Sequence, residues 1–153
     1  MRELCSFFVA GDPKPKGSWK ALMIGGRPRL IPDNKRSAPW QRAISVMARH
    51  VYHEKPANCA VKVVAIFCMP RPKNHYRTGK NSHVLKESSP EYPSIKGKGG
   101  GDSDKLMRAV LDALEGIVYA NDAQVTDIQS SKRYVLTDES TGPGVYIEVF
   151  GLE

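Results

Sequence analysis

Along this chain the spacing of apolar residues alternates between a period of two and a period near 3.6, and the changes of period mark its elements. Residues 3 to 10, ELCSFFVA, predict a strand that Gly11-Asp12-Pro13 ends. The following PKPKGSWK is crowded with prolines and lysines and predicts a loop. ALMIGGRPRLI predicts a small hairpin around Gly25-Gly26, with Pro28 interrupting its second arm. From Pro39 onward a helical period takes over. Trp40, Ile44, Met47, Ala48 and Val51 share one face, Pro39 suits the first turn, and Pro56 follows the helix. CAVKVVAIFCM is apolar and β-branched, the pattern of a strand inside a sheet.

Residues 70 to 101 break the rhythm. They hold four of the eleven prolines, few apolar residues and a run of lysines and arginines, and predict a long basic, flexible loop. A second helix comes next, with Leu106, Ala109, Val110, Ala113, Leu114 and Ile117 as its core face. Two strands close the chain at roughly 124 to 136 and 144 to 151, joined through Thr-Gly-Pro-Gly. In the last one Val145, Ile147 and Val149 alternate with Tyr146, Glu148 and Phe150. No internal repeat is present. The expected fold is a single small α/β (α+β) domain over residues 1 to 153, a mixed sheet with two main helices packed on it.

Composition narrows the functional classes. The 153 residues are 41% apolar and 25% charged, as in a folded domain, so intrinsic disorder is excluded as the general state. Lys and Arg outnumber Asp and Glu by 23 to 16, a net charge of +7 that favours a polyanionic partner. No basic amphipathic helix, lipidation signal or long apolar run points to a membrane. Cys5, Cys59 and Cys68 are scattered and odd in number, which argues for free thiols in a reducing cytoplasm rather than disulfides or zinc.

Against this charge the acidic residues around the second helix stand out. With Asp104 at zero on the helical wheel, Arg108 falls near 40° and Asp112 near 80°, while the apolar set covers about 140° to 300°. These three make one stripe facing away from the core. Asp102 precedes the helix and can point with Asp104, and Asp122 lies on the return turn. Each has an ordinary structural role open to it: Ser103 or Asp104 as helix cap, Asn121-Asp122 as turn. Together they suggest another. Clustered carboxylates repel each other and any polyanion unless a cation joins them. Mg²⁺ prefers carboxylate oxygens, and such ions act on phosphodiesters.

The cations fall in two further groups: Lys14, Lys16, Lys20, Arg27 and Arg29 near the start, and Arg71, Lys73, Arg77, Lys96 and Lys98 in the long loop. Trp19, His75, Tyr76 and Tyr92 lie among them and could stack on exposed bases. Such residues would contact DNA phosphates without reading sequence. The four histidines show no metal or nuclease spacing, and the Gly97 to Gly101 stretch is no P-loop, since no Gly-Lys-Ser/Thr follows.

The string Asp102-Ser-Asp104-Lys-Leu-Met-Arg108, then Asp112-Ala-Leu, then Asn-Asp122-Ala-Gln124-Val resembles the signature of the RusA-type Holliday-junction resolvases, D-x-D-N-x-x-K-A, D-A-L and D-D-x-Q-V. G-D-P-K-P-K-G near the start, a strand running into P-R-P-K, and the final P-G-V-x-I strand agree as well. The resemblance implies a homodimeric endodeoxyribonuclease of phage or prophage origin that resolves branched DNA, four-way junctions, by paired nicks in recombination and repair. It implies Mg²⁺, with Mn²⁺ as substitute, held by Asp102, Asp104 and Asp122. Arg108 would be the catalytic cation, with Asp112 and Gln124 in support. A cytoplasmic location in a bacterial or infected cell follows, and no protein partner beyond the second copy is implied. Three positions depart from the pattern: Lys105 replaces its Asn, Arg108 its Lys, and Asn121 the first Asp of D-D-x-Q-V, with the retained Asp122 at the metal-ligand position. Arg holds phosphate bidentately but does not readily exchange a proton. Lys105 adds positive charge beside the carboxylates. The alternative is therefore a catalytically degenerate protein that binds branched DNA without cutting it.

Overall fold

The computed structural model describes residues 1–17, 19–32, 37–94, 101–136 and 140–153, with the side chains of 19, 20, 31 and 32 outside the description. In chain order the elements are β1 (Arg2–Ala10), β2 (Trp19–Ile24), β3 (Arg27–Pro32), α1 (Ser37–Val51), β4 (Ala60–Met69), α2 (Ser103–Leu114), β5 (Val125–Tyr134) and β6 (Gly144–Leu152). Four of the strands form one mixed sheet in the order β1-β6-β4-β5, and β2 and β3 pair as a separate hairpin. β6 runs antiparallel to both neighbours, whereas β4 and β5 are parallel. The α+β expectation and both helices are thereby met.

β4 lies inside the sheet because its sequence leaves few polar side chains to expose. Val61, Val63, Ala65 and Phe67 are fully buried on the core face, with Cys68 and Met69 closing its end. The opposite face is more open. There Lys62 pairs with Asp127 at 3.2 Å, and the Phe8 and Tyr146 rings meet tilted, with centroids 4.6 Å apart. Both helices cover the core face, as a half-solvated sheet requires. α2 buries Leu106, Ala109, Val110, Ala113 and Leu114, the stripe its periodicity marks, with Ile117 just beyond and Met107 at the edge. α1 buries Trp40, Ile44 and Ala48, and Ser45 Oγ donates to Ala113 O across the helix pair at 3.0 Å. Val51, expected on this face, is exposed because it is the helix's last residue. Tyr52 fills the core position there, its hydroxyl donating to Lys55 O at 3.0 Å.

The β2–β3 hairpin turns at Gly25 and Gly26, both with positive φ (60° and 74°), the geometry of a two-residue turn that glycine adopts without strain. Pro28 does not end the pairing: it stands opposite Met23 in a two-stranded sheet whose outer edges need no donor. The start of the long basic segment is more ordered than its composition suggests. Residues 73–75 and 79–81 form short 3-10 turns, Arg77 N donates to Val84 O, and Lys86 N donates to His75 O. Positions 95–100, with Lys96 and Lys98, lie outside the described residues.

All three cysteines are free thiols, and burial, with Glu3 nearby, pushes that of Cys5 up to about 12. Among the described residues no helix is long and apolar enough to cross a membrane. Leu114, wholly buried at the end of α2, ties that helix to the core. Leu114→Ala should cost about 2 to 5 kcal/mol of stability, read as a lowered denaturant midpoint with unchanged slope.

Candidate active site

α2 lays its polar stripe along a cavity of about 450 Å³ that Asp104, Arg108 and Asp112 line from the helix, with Asp122, Ile128 and Ser130 opposite. The wheel drawn from sequence thus survives folding: positions 104, 108 and 112 open on one space. Asp102 is not among the lining residues. It occupies the N-cap position without a side-chain cap bond, its carboxylate 3.7 Å from Lys105 Nζ. Neither Ser103 nor Asp104 caps the helix; both lie within its first turn.

The return from α2 to β5 is built by a succession of local bonds. Glu115 leaves the helix in extended conformation, and Gly116, at φ 79°, turns the chain so that its N–H reaches Tyr119 O at 2.7 Å. Tyr119 is fully buried, and its hydroxyl donates to Leu111 O at 2.8 Å; burial, reinforced by Asp122, Glu115 and Asp112, pushes that hydroxyl well above the usual phenol range. Asn121 and Gln124 then form a capping box. Asn121 Oδ1 accepts from Ala123 N at 2.8 Å, and Gln124 Oε1 accepts from Asn121 N at 2.8 Å. Asn121 therefore does the turn chemistry, and the Asp122 carboxylate is left for the cavity.

That carboxylate meets two others. Ligand oxygens of Asp112, Glu115 and Asp122 all lie within 4.8 Å of one another. Asp122 Oδ1 is buried without a hydrogen-bond partner. Burial first, then the charges of Glu115 and Asp112, raise the Asp122 pKa above the usual carboxylate value, while Lys16 opposes the rise. Lys16 comes from the N-terminal loop, and its ammonium is bonded to Asp112 Oδ2. The site so formed is acidic at its centre, with Arg108 and Lys16 beside it.

Asp122, Asp112, Asp104 and Arg108 are thus brought together, and Asp102 is not. Ten residues separate Asp102 from Asp112, about 15 Å of helix, and Asp104 lies about 12 Å from Asp112 along the axis. No motif marks Glu115; its one signal in the sequence is an acidic residue one helical turn after Asp112. Gln124 supports by position: its amide donates to Ala57 O and Cys59 O, each at 2.8 Å.

The expected phosphate contacts divide in the same way. Arg27, Arg29, Lys73 and Arg77 are exposed, and Lys73 and Arg77 line a second cavity with Lys86 and Tyr76. Lys14 is half-buried, and the side chain of Lys20 lies outside the described residues. Arg71 is engaged inside the fold, 4.2 Å above the Tyr134 ring and donating to Pro90 O at 2.8 Å. Sequence missed Lys132, whose ammonium holds Gly101 O at 3.0 Å just before Asp102.

A carboxyl whose pKa rises on folding binds more protons folded than unfolded, so it takes stability away as pH climbs from its ordinary value of 3.8 through its raised one. Asp122→Asn should accordingly raise the melting temperature of the metal-free protein at pH 7. The gain should shrink as pH falls below the ordinary carboxylate range, when measured by calorimetry across a pH series.

Comparison with curated proteins finds no match. The family described as Endodeoxyribonuclease RusA matches residues 11–150 of the 153, from the N-terminal loop through the last strand. The acidic cavity and the cations around it lie inside that span, and the chain belongs to the RusA endodeoxyribonuclease family.

Proposed function

We propose that this protein is a divalent-cation-dependent endonuclease that resolves four-way and other branched DNA by paired nicks, working as a homodimer. The observation that carries this reading is the convergence of Asp104, Arg108, Asp112 and Asp122 on one cavity of a strongly basic family member. Two opposed strands must be cut for a junction to resolve symmetrically, which calls for two such cavities and hence two copies. Phage or prophage origin and action in the cytoplasm are part of the same proposal.

The residues present fit a cation. Three carboxylates crowd within 4.8 Å, a buried Asp122 oxygen has no donor, and the Asp122 charge is disfavoured as it stands. A hard divalent ion relieves all three conditions, and Mg²⁺, with Mn²⁺ as substitute, suits an oxygen-only set. Asp122 is the member common to both views of the ligand set. Asp112 and Glu115 stand beside it, while Asp104, farther along the cavity, and Asp102, at the helix start, are the carboxylates the signature adds. The ion would supply an activated water and neutralise charge on the phosphate.

The chain's own residues position that chemistry. Arg108, exposed on the cavity wall, can fork onto two oxygens of the scissile phosphate and hold the charge that grows there. Its guanidinium stays protonated, so its part is electrostatic. Gln124 and the Asn121 cap fix Asp122 against α2. Arg27, Arg29, Lys73 and Arg77 would take phosphates along the DNA arms. Lys14, Lys20, Lys96 and Lys98 belong to the same proposed surface, whereas Arg71 would act by holding the 70–94 segment in shape.

Incubation of the protein with a synthetic four-way junction and Mg²⁺ should give symmetric nicks. Asp102→Asn, Asp104→Asn and Asp122→Asn should each abolish them while leaving junction binding intact or tighter, because negative charge facing DNA is removed. Full cleavage by one of these variants removes that residue from the set. Binding without product at any divalent metal favours the degenerate reading, and Arg108→Lys with Lys105→Asn then tests its cause. With about six phosphate contacts, affinity for the junction should fall by roughly 10³ between about 50 and 200 mM salt.

A further inference from the structure

Lys16 stands 96 positions from the aspartate it bonds, so its place in the site is the work of the fold. The segment that carries it is strapped across the start of α2. Gly11 N donates to Pro143 O at 3.0 Å, and Lys16 N donates to Lys105 O at 3.1 Å. Pro15 lies so close over Gly101 that a Cβ there would come 3.1 Å from its ring. The strap delivers one ammonium to a cluster of three carboxylates, where it bonds Asp112 and favours the charged form of Asp122.

We propose that Lys16 is the resident counter-ion of the Asp112–Glu115–Asp122 cluster, and that an entering divalent cation displaces its ammonium from Asp112 and releases it toward DNA phosphate. This rests on the metal-dependent reading above. An ammonium and a divalent ion cannot share the same few oxygens without strong mutual repulsion. The bond can be exchanged: both side chains keep some exposure, 34% and 21%, so the ammonium can pass to water while a divalent ion takes its place on the carboxylate. Lysine is also the side chain able to leave, since its flexible four-carbon stem moves the charge without moving the strap. By linkage, whatever binds the released ammonium strengthens cation binding, and the cation strengthens that contact in return. Lys16 is then a positioning residue that couples loading of the site to engagement of the substrate.

A purely structural salt bridge makes the opposite prediction, because losing it loosens the strap and weakens the site. Mn²⁺ titration of the DNA-free protein by calorimetry separates the two. Lys16→Met should bind Mn²⁺ about tenfold more tightly than the wild type, and Lys16→Arg should stay within about twofold of it. If Lys16→Met fails to fold, Lys16→Gln keeps a donor for Asp112 and reads the same loss of charge. On a four-way junction made hydrolysis-resistant at the scissile phosphates, Mn²⁺ should strengthen binding more with Lys16 present than with Lys16→Met.

Unchanged or weaker Mn²⁺ binding by the uncharged variants, with a wild type that binds, overturns the counter-ion role and leaves the nuclease reading standing. Absence of Mn²⁺ binding in every variant overturns both. Binding only after Lys16 is neutralised supports the displacement directly. An equal gain in junction affinity with and without Lys16 overturns its release toward DNA.

Discussion

The parallel pairing of β4 with β5 is the constraint on which the site depends. Parallel neighbours must start at the same end of the sheet, so the chain between them has to travel back along it. α2 makes the return, and its C-terminal end therefore arrives where β4 and β5 begin. The Gln124 amide closes that corner with its two bonds to Ala57 O and Cys59 O, and Ala57 N completes it on Val118 O at 2.8 Å. Asp122, two residues earlier, has no choice but to lie beside the last turn of α2. For this reason it meets Asp112 and Glu115, while Asp102 stays at the far end of the helix.

Electrostatics follow from that crowding. Three carboxylates at one corner of a sheet would repel strongly, and the fold answers there with a cation drawn from a distant part of the chain, while a local lysine serves the far end of α2. Lys16 crosses from the N-terminal loop to Asp112, and Lys105 stands beside Asp102. Two of the positions at which the chain departs from the signature, Lys105 and Arg108, thus lie within a wider arrangement of positive charge around α2. Arg108 stays on the cavity wall. Burial makes the balance matter, because a charge half out of water feels its neighbours more than an exposed one does.

Much of this was legible in residue order. Alternation in β6, the apolar run of β4 and the stripe of α2 each depend on neighbours a few positions apart, and local spacing decides which way such side chains face. The same holds for the stripe of Asp104, Arg108 and Asp112, since a rigid helix carries its wheel unchanged into the fold. Less was legible where partners are remote. Arg71 reads as one more basic loop residue, yet the fold lays it over Tyr134, 63 positions away, and onto Pro90 O. Lys16 reads as one of several lysines in a proline-rich loop, and nothing local marks it for Asp112. Glu115 reads as a surface acid at a helix end.

The sequence by itself determined the elements, the buried faces, the acidic stripe and, through its signature, the family. Tertiary structure decided which acids share a corner. A helix separates its first and last turns by a fixed rise, so residues on one stripe can be far apart, and only a strand pairing can set which end receives the returning chain. Asp122 was identifiable as chemically eligible from its place in the signature; that its neighbours are Asp112, Glu115 and, through Asp112, Lys16 is a property of the folded sheet.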